Sequence, residues 1–129
     1  MSDVEIVKEF LTESCENLDR LERNLVELEK HPRDRDILAD IFRTLHTIKG
    51  TSGFLAFSRL EALAHAGEAL LAHLQDAQLS LNPEITAVLL GMIDAIRHML
   101  ETIGTNGRDG NNDYKELIAR LESLLAHRS

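Results

Sequence analysis

The segment RTLHTIKGTSGF (residues 43–54) continues a helical pattern and disturbs it at the same time. Leu45 and Ile48 extend an apolar stripe whose spacing of threes and fours is typical of a helix packed on one side. Gly50 and Gly53 nevertheless occupy helical positions, where a glycine costs about 1 kcal/mol relative to alanine. The pattern predicts an amphipathic helix whose glycines have a role other than stabilising the helix.

The same periodicity recurs along the rest of the chain, and capping signals indicate where each helix begins. In the first helix the apolar seam runs from Val4 to Leu28. The first predicted helix covers residues 3–30, after a Ser2–Glu5 capping box, and the second runs from about residue 35 to the Gly53 region. The third begins at Ser58, in a second capping box with Glu61, and the fourth begins at Pro83, with Asn82 as its N-cap. The fifth runs from Tyr114 to about Ala126.

Amphipathic helices joined by short connections pack as antiparallel neighbours. The sequence therefore predicts an all-α fold, an up-down antiparallel four-helix bundle with an additional C-terminal fifth helix. The segment GTNGRDGNND (residues 104–113) contains three glycines and is the clearest break in the periodicity. We expect a single domain over residues 1–129, with a glycine-rich linker at about 104–112 before the last helix.

Composition excludes several classes of partner. A formal net charge of −8 disfavours nucleic acid, because binding phosphate backbones needs a basic surface. No apolar run approaches the roughly 20 residues of a membrane span, and the first residues lack the pattern of a signal peptide. The single cysteine, Cys15, excludes an internal disulfide and fits a reducing compartment. We expect a cytoplasmic protein without a nucleic-acid or membrane partner.

His46 lies off the centre of the apolar stripe, at the rim between core and water. Lys49, Gly50 and Gly53 follow it at spacings of three, four and seven, so they share its side of the helix. The missing side chains would clear a shallow landing area for another protein, although Gly53 also has a simpler interpretation as the residue after the helix end. Arg43, one turn before His46, would add positive potential for a phosphate or an acidic partner.

The third predicted helix supplies a matching flank, with His65 and Glu68 one turn apart. If the second and third helices are antiparallel neighbours, Glu68 can reach the ring of His46. A carboxylate that accepts a hydrogen bond from Nδ1–H fixes the neutral tautomer and leaves a lone pair on Nε2, which is then a nucleophile. Lys49 would neutralise part of the negative charge of a group attached there.

The segments HTIKGTSGFLAF (residues 46–57) and LEALAHAGEALL (residues 60–71) together resemble the histidine-containing phosphotransfer (HPt) domain, of the type found at the N-terminus of CheA-like chemotaxis histidine kinases. The family motif is a histidine, a hydroxyl residue, an apolar residue, lysine and glycine, followed on the next helix by a histidine and a glutamate three residues apart. This chain departs from the family at Ala56, where glycine is frequent.

The resemblance implies a relay and not a self-sufficient enzyme. His46 would accept a phosphoryl group from ATP held by a separate kinase catalytic domain and pass it to an aspartate of a response-regulator receiver domain. Glu68 would orient and activate His46, Lys49 and His65 would join the same network, and Gly50 would leave room for the partner. The domain itself would bind no cofactor, ATP and Mg²⁺ being supplied by partner domains, and we expect it to be part of a larger histidine kinase.

Other interpretations stay open at this stage. His46, His65 and Glu68 could form a metal site with two histidines and one carboxylate, although Lys49 would repel a cation. The chain could be a helical adaptor that is never phosphorylated, or a free-standing HPt relay protein outside chemotaxis. Labelling by a kinase separates the adaptor from the relay.

Overall fold

The computed structural model describes residues 2–77 and 79–126 of the 129-residue chain, and α-helices dominate this part. The described residues form five helices, and the predicted all-α fold is confirmed. None of the five combines the length and the apolar character needed to cross a membrane. The helices are α1 (Asp3–Lys30), α2 (Arg35–Phe54), α3 (Ser58–Gln75), α4 (Pro83–Asn106) and α5 (Lys115–Ala126).

The first four helices form a four-helix bundle, which can be followed as a ring of neighbours: α1 packs on α2 and α4, and α3 packs on the same two helices. α5 lies outside this ring against α3 and α4. Neighbouring helices run antiparallel: Lys49 of α2 contacts Glu68 of α3, and farther along α2 Gly53 faces the earlier Glu61. This direction matters for function because it places the middle of α3 beside the middle of α2.

Ion pairs link α1 to both of its neighbours in the ring. Arg97 of α4 contacts Asp19 and Glu22 of α1, each at 2.8 Å. Arg20 of α1 pairs with Asp40 of α2, and this hydrogen bond holds the pKa of the Asp40 carboxyl below its ordinary value. Exposed pairs of this kind add little stability each, but they favour one register of α1 against the bundle.

The core is formed by the apolar seams of the helices, as the periodicity predicts, except at the start of α1. Val4 is exposed there, so the predicted seam begins too early. Phe10 is buried instead, and its ring packs on that of Phe57, with centroids 5.6 Å apart. Phe57 belongs to the turn between α2 and α3, so α1 helps to hold that turn.

Gly67 of α3 lies where three helices approach closely. A Cβ at this position would fall on the Met92 side chain of α4 and within 3.1 Å of Leu45 Cδ2 of α2. Overpacking of a core usually costs about 1–3 kcal/mol, so the absent side chain is a packing requirement. The close approach of α2 and α3 brings their flanking polar residues within reach of each other.

The N-terminus of α3 differs from the prediction. Phe57 is its N-cap and makes no side-chain capping bond, so the predicted Ser58–Glu61 capping box is wrong. The carboxylate of Asp109, far along the chain, accepts hydrogen bonds from the backbone N–H groups of Arg59 at 2.8 Å and Leu60 at 3.1 Å. A buried carboxylate at this position satisfies N–H groups that the helix itself leaves unpaired.

The glycine-rich segment is shorter and better anchored than the predicted linker at 104–112. α4 continues through residues 104–106 and ends at Gly107, whose φ of 76° closes the helix in the left-handed region. The turns at residues 107–114 then hold Asp109 against α3. This segment ties the end of α4 to the start of α3 and is therefore part of the folded bundle.

Candidate functional site

His46 stands on the outer side of α2, beside the stripe that packs into the core. Leu45 and Ile48 are fully buried, whereas 59% of the His46 side chain is exposed. The helical repeat of about 100° per residue explains the contrast, because it turns neighbouring positions from core to solvent. The rim position predicted for His46 is what the structure has.

Glu68 of α3 contacts both His46 and Lys49. Its Oε2 atom lies 3.2 Å from His46 Nδ1 and 2.9 Å from Lys49 Nζ. Lys49 Nζ also donates a hydrogen bond to Glu68 Oε1 at 3.1 Å. Only 14% of the Glu68 side chain is exposed, so this carboxylate is shielded from water on most sides.

The environment keeps Glu68 ionised. Burial by itself raises the pKa of a carboxyl group, but the hydrogen bonds and charges of Lys49 and His46 outweigh it and hold the pKa of Glu68 below its ordinary value. A carboxylate that is ionised at neutral pH beside Nδ1 favours the ring form that carries its proton on Nδ1. Nε2 is then the nitrogen with the free lone pair.

Glu68 Oε2 is buried and receives no well-aligned hydrogen bond from the described residues, although two nitrogens lie within ion-pair distance. The ion pairs with Lys49 and His46 compensate this oxygen electrostatically. His46 contacts it through Nδ1, and Nε2 has no partner among the described residues.

Phe42 is a second support of the ring and was not singled out from the sequence. Its ring stacks on that of His46 with an interplanar angle of 10° and centroids 6.1 Å apart. The two residues are four positions apart, one helical turn, and this spacing was the signal that could have found the pair. This stacking restricts the orientations that the imidazole can adopt.

The two glycines beside His46 have different surroundings. A Cβ on Gly50 would meet nothing within 4 Å, so no contact inside the described bundle requires glycine there. A Cβ on Gly53 would meet the carboxylate of Glu61, so Gly53 faces α3 and lies outside the open area. α2 runs one residue past Gly53, which excludes the interpretation of Gly53 as the residue after the helix end.

The turn after α2 contains the position where this chain departs from the family pattern. Ala56 has a φ of 66°, in the left-handed region that costs a residue with a Cβ roughly 1–2 kcal/mol. Glycine adopts this conformation without that penalty. The frequent glycine of the family therefore has a backbone reason, and the alanine adds local strain without touching the histidine.

Two further predicted site residues lie near His46 without joining its polar contacts. His65 is exposed and makes no hydrogen bond or ion pair with any described residue, so the structure does not bring it into the network predicted for it. Arg43 is exposed one turn before His46 and acts electrostatically on Asp40. The functional roles of both residues stay predictions.

The site is an open surface. A cleft of about 550 Å³ lies between the α2–α3 turn and residues 106–111. None of the residues that line this cleft is a predicted site residue. Among residues 2–77 and 79–126, no group of three or more His, Cys, Asp or Glu side chains could hold a metal ion. The arrangement is that of a presented nucleophile beside a buried carboxylate and an ammonium group.

Comparison with known proteins identifies the family of this arrangement. The family model described as the Hpt domain matches residues 5–104, which include α2, α3 and nearly all of α4. The sensor histidine kinase CheAY of Helicobacter pylori is 38% identical over 126 residues, 95% of this chain and 16% of that protein. The chemotaxis protein CheA of Treponema pallidum is 32% identical over 121 residues, 94% of this chain and 15% of that protein. The chain thus spans about a sixth of the length of these relatives.

Solved structures extend the similarity to α5. The phosphorylated P1 domain of CheA3 from R. sphaeroides, crystallised in complex with CheY6, is 30% identical with a TM-score of 0.89, and the match covers 97% of this chain and 98% of that one. The solution structure of the histidine phosphotransfer domain of CheA is 29% identical with a TM-score of 0.85, covering 95% and 93%.

Proposed function

The chain belongs to the Hpt domain family and is a phosphotransfer domain of the CheA chemotaxis type, and from this premise we propose that His46 is the residue that carries the phosphoryl group. The observation that carries the proposal is the contact of Glu68 Oε2 with His46 Nδ1 at 3.2 Å, because it leaves Nε2 as the nucleophile on an exposed ring. His46 is also the histidine of the motif that the resemblance places on α2.

In the first step, the lone pair of Nε2 attacks the γ-phosphorus of ATP, which a kinase catalytic domain holds with Mg²⁺. A P–N bond forms, the bond to the β-phosphate oxygen breaks, and ADP leaves. The imidazole keeps its proton on Nδ1 and gains positive charge as the bond forms. The Glu68 carboxylate stabilises this charge, and the charge stabilisation is larger at a shielded site than in water.

Lys49 has two roles in this step. Its ion pair keeps Glu68 ionised, and its ammonium group, one turn from His46, offsets part of the negative charge of the attached phosphoryl group. In the second step the P–N bond breaks and an aspartate oxygen of the receiver domain takes the phosphoryl group, so Nε2 regains its lone pair. Transfers of this kind depend mainly on positioning and charge stabilisation.

We further propose that the kinase catalytic domain belongs to the same polypeptide, whereas the receiver is a separate, diffusible protein. The relatives support the first part, since this chain matches only about a sixth of their length. The CheA3 P1 domain, which was crystallised with CheY6, supports the second. The unpaired Cys15 and the absence of an internal disulfide agree with a cytoplasmic location. No cofactor bound to the domain itself is required by this chemistry.

The proposal is tested by incubating the domain with a chemotaxis-type kinase catalytic domain, ATP and Mg²⁺, and mapping the phosphorylated residue under alkaline conditions. We expect a label on His46 that is stable in alkali and lost in acid, as for phosphohistidine. His46→Gln should abolish the label and leave the melting temperature nearly unchanged, because an exposed rim residue contributes little packing. An unlabelled wild-type domain, with a kinase active on its own substrate, would favour the adaptor interpretation.

A further inference from the structure

The orientation of the His46 ring is not defined by its own side-chain torsion. The torsion that turns an imidazole about its Cβ–Cγ bond has a broad, roughly two-fold preference, so neighbouring groups have to fix the plane of the ring. The plane matters for the chemistry, because the lone pair of Nε2 lies in it and has to point where the phosphoryl group arrives. The contacts that set this plane therefore bear directly on phosphotransfer.

Glu68 selects the free nitrogen, but it defines the plane of the ring only loosely. It contacts the imidazole at one atom, Nδ1, at 3.2 Å. A carboxylate oxygen accepts hydrogen bonds over a broad range of directions. The bundle does not enclose the ring either, because most of the His46 side chain is exposed. A second contact is needed to hold the imidazole in one orientation.

Phe42 supplies this second contact. Side chains on a helix lean toward its N-terminus, so the His46 ring lies over the turn that contains Phe42. The two rings are within 10° of parallel, and their centroids are 6.1 Å apart. Lys49, which holds Glu68, follows His46 by almost one turn. The imidazole is thus bracketed along α2 by an aromatic ring on one side and the Lys49–Glu68 pair on the other.

Phe42 can act as a support because it is itself held by the core. Its side chain is half-buried and packs against the apolar core of the bundle. A ring that is fixed on one side restricts a mobile neighbour, whereas two fully exposed rings would move together. A purely structural role is the alternative, since side-chain pairs four residues apart stabilise a helix by about 0.2–0.5 kcal/mol.

We propose that Phe42 is a positioning residue for phosphotransfer and that it divides this task with Glu68. Glu68 determines which ring nitrogen is the nucleophile, and Phe42 determines the direction in which that nitrogen points. Phe42 acts through His46 and does not touch the phosphoryl group. This inference deepens the proposed function and rests on it, because it assigns a role at the histidine that carries the phosphoryl group.

The effect of Phe42 should depend on the size of the phosphoryl donor or acceptor. A protein partner brings its reacting group to a fixed place, and a misplacement of about 1 Å costs up to about a hundredfold in rate. Phosphoramidate, a small donor, transfers its phosphoryl group to Nε2 with release of ammonia and can approach from any open side. Loss of the Phe42 ring should therefore slow the reactions with protein partners and leave labelling by phosphoramidate unchanged.

The experiment compares Phe42→Leu and Phe42→Tyr with the control Phe10→Leu. Phe42→Leu keeps an apolar side chain against the core and removes the ring, whereas Phe42→Tyr keeps the ring. Phe10→Leu removes a buried ring that stacks on Phe57 at the α2–α3 turn, so it reports the effect of lower stability alone. For each protein, kcat and KM are measured for labelling by a chemotaxis-type kinase catalytic domain and for transfer to a receiver domain. The rate of labelling by phosphoramidate and the melting temperature are measured in parallel.

We expect Phe42→Leu to lower kcat of both protein-dependent steps roughly 5- to 20-fold, with KM nearly unchanged. Phe42→Tyr and Phe10→Leu should keep wild-type kcat, and phosphoramidate should label all four proteins at similar rates. Wild-type kcat for Phe42→Leu would overturn the proposal, and so would an equal loss in Phe10→Leu, which would make stability the cause. A change in KM alone would make Phe42 a partner contact, and equal slowing with phosphoramidate would make it a determinant of reactivity; either result would also overturn the proposal.

NMR of the wild-type domain tests the stack without any substitution. Nuclear Overhauser effects between the ring protons of Phe42 and His46 are expected at neutral pH. Their absence would overturn the proposal even if Phe42→Leu failed to fold. Failure of the proposed function is seen separately, as a wild-type domain whose His46 is labelled by neither donor, because the NMR measurement needs no phosphorylation.

Discussion

Gly50→Ala provides a sharp test of why α2 carries a glycine beside its histidine. Gly50 lies inside a helix that runs from Arg35 to Phe54, and nothing in the described bundle lies within 4 Å of where its Cβ would be. No internal contact would be lost or strained by the added methyl group. The structure therefore predicts opposite effects of this one substitution on stability and on phosphotransfer.

The expected gain in stability follows from backbone propensity alone. Alanine in a helix interior is favoured over glycine by about 1 kcal/mol, and for a domain of this length that corresponds to a rise in melting temperature of about 4 °C. The expected loss of function follows from geometry, because the methyl group projects from the surface that a partner must approach. Misplacement of reacting atoms by about 1 Å costs up to a hundredfold in rate, so we expect transfer to slow by roughly 10- to 100-fold.

The assay combines thermal unfolding followed by circular dichroism with rates of His46 labelling and of transfer to the receiver. Gly91→Ala is the matched control, because Gly91 is a mid-helix glycine in α4, whose added Cβ would make only an ordinary contact with Leu117 at 3.9 Å. Among the described residues α4 makes no close backbone contact with α2, so the control should gain stability and keep wild-type rates.

Two results would refute the reasoning. A Gly50→Ala domain that melts higher and transfers at the wild-type rate would show that the open space beside His46 is not used. A Gly50→Ala domain that melts lower than wild type would show that the position is constrained inside the fold and that its glycine is structural.

The remaining predictions concern the support of the site and the turns around it. Glu68→Gln should slow labelling of His46 at neutral pH without unfolding the domain, and an unchanged rate would remove Glu68 from its activating role. The folded pKa of Glu68 lies below its ordinary value of about 4.3, so its contribution to stability is present at neutral pH and is lost as pH falls from about 4.3 through the folded pKa. In urea titrations, the difference in free energy of unfolding between wild type and Glu68→Gln should therefore shrink over that acid range. Asp109→Ala should lower the free energy of unfolding by about 1–2 kcal/mol, because two N–H groups at the start of α3 lose their acceptor, whereas Asp109→Asn should lose less; equal melting of all three proteins would contradict the cap. Ala56→Gly should raise the free energy of unfolding by up to about 1 kcal/mol, since glycine relieves the left-handed φ at a smaller cost in the unfolded state, and a lower melting temperature would contradict the strain.

The elements that the sequence predicted well depend on neighbouring residues. The Ser2 side chain accepts from the Glu5 N–H group and Asn82 accepts from Ile85, as the capping patterns indicate. Both are contacts between residues three apart. Such capping patterns can be recognised in the sequence because both residues of each contact lie in the same short segment.

The most consequential error concerns a contact between distant segments. The N-terminus of α3 matches a capping box in sequence, yet its N–H groups are held by Asp109, some fifty residues later. The glycines at the end of α4 suggested a linker from residue 104, whereas the helix continues to Asn106. At the start of α3 a tertiary contact replaced the local cap that the sequence favoured, whereas α4 ends at a local cap, the left-handed Gly107.

Prediction of the candidate site shows the same division between local patterns and contacts between distant residues. The spacing of His46, Lys49 and Glu68 was sufficient to predict one flank shared by two helices, provided that the helices are antiparallel. The absence of His65 from the polar contacts and the stacking of Phe42 on the imidazole depend on side-chain directions that spacing alone does not specify. Exposure of Phe54 is likewise a property of the assembled surface.

The sequence by itself determined the helices, the apolar stripes and the residue types that carry the chemistry, because periodicity and capping are local properties of the chain. Only the tertiary structure decided that Glu68 meets Nδ1 of His46, that Gly50 faces open space while Gly53 faces Glu61, and that the segment after α4 holds the start of α3. These facts depend on the register between helices, and that register is set by packing among residues far apart in the chain.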